Sequence, residues 1–363
     1  MFILRGFKNS INMKKASEVR EFRTIDIVKR LGVISPNRVH LKNYPIDNPI
    51  SIFNSAIVIK NDYAKVYARI ILGYFMYLSG IVLLEIPLDD LFTGIISVSH
   101  YPGELVLYPS TKHDIWGTED PRVSRINDMN VMVYTGRTIN YFNPAIRRYR
   151  TIPIAAIDYG NDKWHKVAVF IFPQGVREHI ISDKDAFLVK TSDGTLLLFH
   201  RPHMDDENFY LVISKVSEDI ITRKTVEEIK VVEVRDTTLA LEPAKFEIKL
   251  GWAAPPIEIE KDTYLTLIHG VDKEIEGYRI FAAIFKYDKD RGIDVVAVTP
   301  YYIMEPKMPY ELFGDRPFTV FPCGACLVDN KIIISYGAAD YVIGFGEIDL
   351  NELLSHLEKG KLE

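Results

Sequence analysis

The chain has 363 residues, 47% of them hydrophobic, 12% aromatic and 26% charged, which supplies a large core and excludes a disordered or fibrous protein. Its 44 basic and 49 acidic residues leave a formal charge of −5. With no basic run long enough to track phosphates, that balance excludes a nucleic-acid surface.

Residues 1–15 lack a long apolar stretch and a cleavage site, which argues against a secretion signal. Met13-Lys14-Lys15 reads as an alternative translation start, and residues 1–12 as an extension with no role in the fold. Residues 16–47 read as a polar lead-in with one short helix around residues 26–31, so residues 1–47 are expected to precede the folded domain. The apolar run 70–84 is shorter than the roughly 20 residues of a membrane span. It lies between Arg69 and Glu85 and reads as two buried strands joined at Leu78-Ser79-Gly80, with no membrane partner.

From residue 48 the chain repeats. Asp62, Asp128, Asp193, Asp262 and Asp329 mark hairpin turns at intervals of 66, 65, 69 and 67 residues. Each turn precedes a strand-like run, at 65–71, 130–136, 195–201, 263–270 and 331–337. A fixed period of strands and turns without helical punctuation predicts an all-β, five-bladed β-propeller over residues 48–348. Eight residues before the turns stand Asn54, Asp120, Asp185, Ala254 and Phe321. Seven or eight residues after them stand Arg69, Thr135, Arg201, His269 and Tyr336. Equivalent strand ends of all blades meet around one channel, so polar residues at these registers are expected to share a pocket.

Within this frame, Gly117-Thr118-Glu119-Asp120-Pro121-Arg122 places two adjacent carboxylates and an Arg at a strand entry, which suits either a tuned general acid or a charged turn with a Glu–Arg pair. Ser182-Asp183-Lys184-Asp185 opens the next repeat, and His200-Arg201-Pro202 closes its following strand. Lys249 precedes Gly251-Trp252-Ala253-Ala254-Pro255-Pro256, and Ile268-His269-Gly270 ends the next strand. Lys184, Arg201, Lys249 and His269 together would make an anion site. Tyr336-Gly337-Ala338-Ala339-Asp340 lets backbone approach a ligand, with Asp340 an acceptor for sugar hydroxyls. Cys323 and Cys326 form a C-x-x-C pair without further metal ligands, so they read as small buried thiols. Two cysteines exclude a disulfide framework and fit a reducing cytoplasm. Residues 349–363 carry an acidic N-cap and helical apolar spacing, which predicts a short C-terminal helix on the propeller's outside.

These segments, in this order over residues 52–354, resemble glycoside hydrolase family 130, the β-mannoside phosphorylases and related mannosidases. The resemblance implies Asp120 as general acid, acting through a sugar hydroxyl. It implies sugar contacts from Asn54, Ser55, Arg69 and Asp340, with Glu119, Arg122 and Asp185 beside them. It also implies a phosphate cradle of Lys184, Arg201, Lys249 and His269, and Trp252-Ala253-Ala254 departs from the family's Gly-rich run. The expected activity is inverting phosphorolysis, or reverse synthesis, of a β-mannoside giving α-mannose 1-phosphate. The expected partners are a mannoside oligosaccharide or glycoconjugate and inorganic phosphate, with no metal or cofactor and with homo-oligomers open. A hydrolase using Asp185 or Glu119 as base, and a non-catalytic carbohydrate-binding propeller, are the alternatives. Loops 141–150 and 201–209 are candidates for selecting the acceptor.

Overall fold

Each turn aspartate joins the first two strands of a blade. In the first blade Ser51–Lys60 pairs antiparallel with Tyr63–Ile71, and in the second Thr118–Ile126 pairs with Met129–Arg137. In the third Ile180–Lys190 pairs with Leu196–Met204. The fourth blade's first strand is broken into Glu247–Trp252 and Ile257–Glu260, both against Thr263–Asp272. The fifth pairs Val320–Val328 with Lys331–Ala338. Left-handed backbone recurs in the turns, at Asn61, Asp128, Asp262, Asp329 and Gly194, where Asn, Asp and Gly adopt it at little cost. The computed structural model describes residues 6–73, 78–140, 143, 145–160, 162–222 and 228–362.

Third and fourth strands complete each sheet, and the first strands of neighbouring blades touch in a closed ring. Among the described residues this is a five-bladed propeller whose first strands surround the axis. The blades are held by aliphatic and aromatic layers between them. Between the third and fourth blades, Phe187, Phe199, Trp252, Phe281 and Phe285 pack in one buried cluster.

Much of the expected lead-in belongs to this ring. The short helix is Met13–Glu18, not residues 26–31. Lys29–Ile34 is instead a strand, antiparallel to Val342–Asp349, and it closes the fifth blade. An open sheet edge beside Leu31, Val33 and Ile34 outweighs their local helical spacing. Val39–Lys42 adds to the first blade, parallel to Tyr101–Leu107. The reading of residues 1–12 as idle is also corrected. Lys8–Asn9 pairs parallel with the third blade's Arg235–Leu241, and the Ser10 hydroxyl donates to the Ala240 carbonyl at 2.6 Å. Residues 1–5 of that extension lie outside the described residues.

The run at 70–84 forms the ends of two adjacent strands, Tyr63–Ile71 and Ser79–Pro87; its residues 74–77 lie outside the described residues. No described helix is long and apolar enough to cross a membrane. The C-terminal helix is Leu350–Glu358, capped by Asp349 accepting from the Glu352 amide at 2.9 Å, with Leu353 and Leu357 buried.

Arg20 fastens the N-terminal segment to the fourth blade. Its Nη1 donates to both Glu247 oxygens at 2.7 Å, and its guanidinium lies 3.4 Å from the Phe281 ring centre. Tyr302 donates a further bond to Glu247 at 2.6 Å. Removing one partner of a buried ion pair strands the other, so Arg20→Ala should lower stability by about 3–5 kcal/mol. Urea unfolding measures this, and a loss under ~1 kcal/mol, the value of an exposed pair, would refute the fastening role.

Candidate active site

A repeated backbone defect builds the pocket. Asn54, Asp120 and Asp185 occupy the same register in the first three blades and all have left-handed φ, at 47°, 50° and 54°. The strand register slips at each, between Phe53 and Ala56, Glu119 and Arg122, and Lys184 and Phe187. Such a bulge kinks the strand and re-aims a side chain, and Asn and Asp tolerate the backbone it needs. Here the three line one cavity of about 430 Å³ at the propeller's centre.

On one wall the Asn54 amide donates to Asp120 Oδ1 at 2.8 Å, and Arg69 Nη1 does so at 3.0 Å. Arg69 Nη2 reaches Glu119 Oε1 at 2.9 Å, and Arg137 Nη2 meets the same oxygen at 2.7 Å. Burial alone would raise the Asp120 pKa, but Arg69, the Asn54 hydrogen bond, Arg122 and Lys184 outweigh it and hold the carboxyl low. Asp340, also lining the cavity, behaves oppositely. Burial and the negative Asp120 push its pKa up to about 6 against the pull of Arg69 and Arg316.

The facing wall centres on Asp185. Arg201 Nε lies 2.7 Å and His269 Nε2 3.4 Å from its Oδ2, and Arg122 Nη2 lies 3.5 Å from its Oδ1. Burial opposes the Asp185 charge, yet Arg201, His269 and Arg122 keep its pKa far below the carboxylate range. Lys184 and Arg201 line this cavity and also a second one, which Lys249 lines as well. The Lys249 ammonium stands 4.7 Å from the Phe209 ring centre and 5.6 Å from that of Tyr278.

Three of the expected ligand contacts lie elsewhere. His269 lines neither cavity; it is fully buried behind Asp185, and burial lowers its pKa to about 4, so it is a neutral support and not a cradle cation. Arg122 is also fully buried. Its Nε donates to the Ala253 carbonyl at 2.5 Å and its Nη2 to that of Trp252 at 2.9 Å, tying the second blade to the fourth. It does not form the local pair with Glu119 that the charged-turn alternative called for, because the bulge turns the two apart. Ser55 is buried behind Asn54, its carbonyl accepting from the Ser335 hydroxyl at 2.6 Å. Trp252 points away from the pocket into the core, where Nε1 donates to the His200 and Val212 carbonyls at 3.1 Å. Its bulk therefore leaves the subsite unobstructed.

Two glycines are required by close approach. A Cβ on Gly337 would fall 1.8 Å from Asn54 Oδ1, and one on Gly251 would fall 2.1 Å from His269 Nε2. The sequence reading missed Arg137 and Arg316. Arg137 ends the second blade's second strand, and the register count, which stopped at Thr135, was the available signal. Arg316 comes from a loop whose amide bonds the Ala339 carbonyl at 3.0 Å. Its guanidinium lies 4.7 Å from the Tyr278 ring centre at the cavity wall, and no repeat position marks it.

The profile of a family described as β-1,4-mannooligosaccharide phosphorylase matches residues 18–359. The chain is 29% identical over 67% of its length to a β-1,2-mannobiose phosphorylase of a Thermoanaerobacter species, covering 70% of that protein. It is 26% identical over 68% of its length to a 1,2-β-oligomannan phosphorylase of the same species, covering 73% of it. Among solved structures, the fold is similar to a Listeria innocua β-1,2-mannobiose phosphorylase in complex with β-1,2-mannobiose. That match has a TM-score of 0.66 and 18% identity over 92% of this chain and 97% of the other. A Parabacteroides distasonis protein named as a putative glycoside hydrolase matches at 0.64 and 18%, over 90% and 97%.

Lys249 reports on what this pocket is built to hold. Burial first, then Arg201, Lys184 and Arg316, bring its pKa down to about 7. An anion placed among these cations favours the charged ammonium. NMR titration of Lys249 should therefore give a midpoint near 7 that rises on adding inorganic phosphate; a midpoint indifferent to phosphate would show that no anion binds beside it.

Proposed function

The chain belongs to the β-1,4-mannooligosaccharide phosphorylase family, and on that premise we propose that its central cavity catalyses inverting phosphorolysis of a β-mannoside. A mannosyl unit lies against Asn54, Arg69, Asp120 and Asp340. A phosphate oxygen held by Lys184, Arg201 and Lys249 attacks the anomeric carbon from the face opposite the leaving group. The new C–O–P bond forms as the glycosidic C–O bond breaks, and the product is α-mannose 1-phosphate. The departing oxygen takes a proton that Asp120 supplies through a sugar hydroxyl. The reaction runs equally as synthesis from α-mannose 1-phosphate and an acceptor sugar.

The observation that carries this reading is the state of Glu119 and Asp185, the two carboxylates a hydrolase would use as base, with Asp340 set against the mannosyl unit. Inverting hydrolysis needs a second carboxylate free to activate water. Glu119 is held between Arg69 and Arg137, and Asp185 is clamped by Arg201, Arg122 and His269. Phosphate is already an anionic nucleophile and needs no such base, only positioned cations.

The free Asp120 is held ionised, whereas its role requires a proton. Phosphate acts against this hold, although Arg69, Asn54 and Arg122 contribute more to it than Lys184 does. Lys184 is among the charges that hold Asp120 low, and a phosphate dianion beside Lys184 cancels that influence and favours the protonated acid. No further cofactor enters the scheme. The names of the two Thermoanaerobacter relatives support β-1,2-linked mannobiose or short oligomannan as the substrate to test first. The unpaired thiols of Cys323 and Cys326 support a reducing, cytoplasmic setting.

Asp120→Asn keeps the hydrogen-bonding shape but removes the proton, so kcat should fall by about 10²–10⁴-fold with an unchanged fold. Turnover near that of the native protein would remove Asp120 from the mechanism. Cleavage of β-1,2-mannobiose should require inorganic phosphate and give α-mannose 1-phosphate, resolved by ³¹P and ¹H NMR. Equal rates in phosphate-free buffer, with free mannose formed, would establish hydrolysis in its place.

A further inference from the structure

With His269 a neutral support, the cradle draws its cations from two neighbouring blades, Lys184 and Arg201 from the third and Lys249 from the fourth. The segment leading into the fifth blade brings one more to the central cavity, Arg316. The other three arginines lining that cavity are held by carboxylates. Arg69 meets Glu119 and Asp120, Arg137 meets Glu119, and Arg201 meets Asp185. Arg316 has no ion pair among the described residues, and its Nε is buried without a hydrogen-bond partner. A partly buried cation without a counter-charge is costly unless an anion joins it.

Backbone contacts on two sides hold this segment in place. The Arg316 amide donates to the Ala339 carbonyl at 3.0 Å, and the Ala339 amide donates to the Thr319 carbonyl at 3.0 Å. These bonds tie it to the hairpin that carries Asp340. Toward the fourth blade, the Tyr278 amide donates to the Phe318 carbonyl at 2.9 Å. Gly314 permits the close approach, since a Cβ there would fall 2.4 Å from the Ala339 carbonyl oxygen. The Tyr278 ring then supports two cations, with the Arg316 guanidinium 4.7 Å and the Lys249 ammonium 5.6 Å from its centre. The Arg316 charge also reaches both sides of the reaction. It acts on Lys249 after burial, Arg201 and Lys184, and with Arg69 it opposes the rise that burial causes in Asp340.

We propose that Arg316 is a further phosphate-binding residue, its guanidinium donating to phosphoryl oxygens of orthophosphate and, in the reverse direction, of α-mannose 1-phosphate. The anion is then held from the third, fourth and fifth blades together. Contacts from three blades restrain it from turning and aim its attacking oxygen at the anomeric carbon. The inference rests on the phosphorolytic reading, which supplies the anion.

Calorimetry with orthophosphate is the first measurement. Arg316→Gln should weaken binding about tenfold to a hundredfold, the worth of a charge-assisted hydrogen bond. Arg316→Lys should recover part of that loss, because it keeps the charge without the paired donors. Neither substitution breaks a described ion pair, so both variants should fold as the native protein does. In phosphorolysis of β-1,2-mannobiose, the Gln variant should raise the KM for phosphate by a similar factor and leave the KM for mannobiose within about twofold. A merely structural role, exerted through the hairpin that carries Asp340, would raise both KM values together and overturn the proposal. Native phosphate affinity in the Gln variant overturns it too, and a rise confined to the mannobiose KM reassigns Arg316 to the sugar. If the native protein itself binds no orthophosphate, the phosphorolytic reading fails first and this inference falls with it.

Discussion

The bulge that recurs in the first strand of each of the first three blades decides where the site's polar groups stand. A regular strand would alternate its side chains between the two faces of the blade. One inserted residue in left-handed backbone breaks that alternation and turns Asn54, Asp120 and Asp185 to the axis. The neighbours before the bulge, Phe53, Glu119 and Lys184, come to line the same cavity. Each bulge therefore delivers two adjacent residues to the pocket, which a flat strand cannot do. Because Asn and Asp are the side chains that bear this backbone most readily, the fold's geometric requirement and the site's need for polarity are met by the same residues.

Charge is then placed by residues that line neither cavity. Arg122 and His269 are fully buried, yet they and Arg201 fix Asp185 as a permanent anion. Asp185 in turn holds the Arg201 guanidinium by one edge, and Arg201 faces both cavities. Replacing any of these by an apolar group would leave a buried charge without its partner, which is costly. Gly251 is kept small by the same cluster, since a Cβ there would overlap both His269 and Asp185. The third blade holds a comparable buried chain, Asp183 to His200 to Ser214 to Thr237, with each contact at 2.8 Å. Its Ser-His-Asp composition imitates a nucleophile, but His200 and Ser214 are fully buried, so it reads as a structural network that pairs buried polar groups with one another.

The repeat of turn aspartates made the propeller legible, because a hairpin turn is a local feature whose residue preference shows in the sequence. The inner-strand register was legible for the same reason, and it led to Asn54, Asp120 and Asp185. Strands contributed from a distance were not legible. Lys8–Asn9, Lys29–Ile34 and Val39–Lys42 are short, and their pairing partners lie up to hundreds of residues away, so nothing local marks them. Residue type also misleads where burial decides the role. His269 and Arg122 carry the chemistry of ligands and serve as supports, while Arg137 and Arg316 reach the cavity from positions no motif names. The side-chain direction that separates these cases is set by the bulges and by packing between blades, which spacing alone does not encode.

Position along a charge gradient favours phosphate over water as the attacking group in the phosphorolytic reading. The sugar side of the central cavity sets Arg69 against Glu119 and Asp120, and Asp340, with its pKa raised to about 6, adds a third carboxylate that is mostly ionised at neutral pH. Toward Lys184, Arg201 and Lys249 the cations outnumber their partners, and burial first, then the neighbouring cations, lowers the pKa of both lysines. A neutral water gains nothing along this gradient, whereas an anion is drawn to the seam where the two cavities meet. An anion at that seam favours the lysines' charged form and places negative charge near Asp120, which favours its protonated form. In that reading the binding of the nucleophile also shifts the proposed proton donor toward its protonated form.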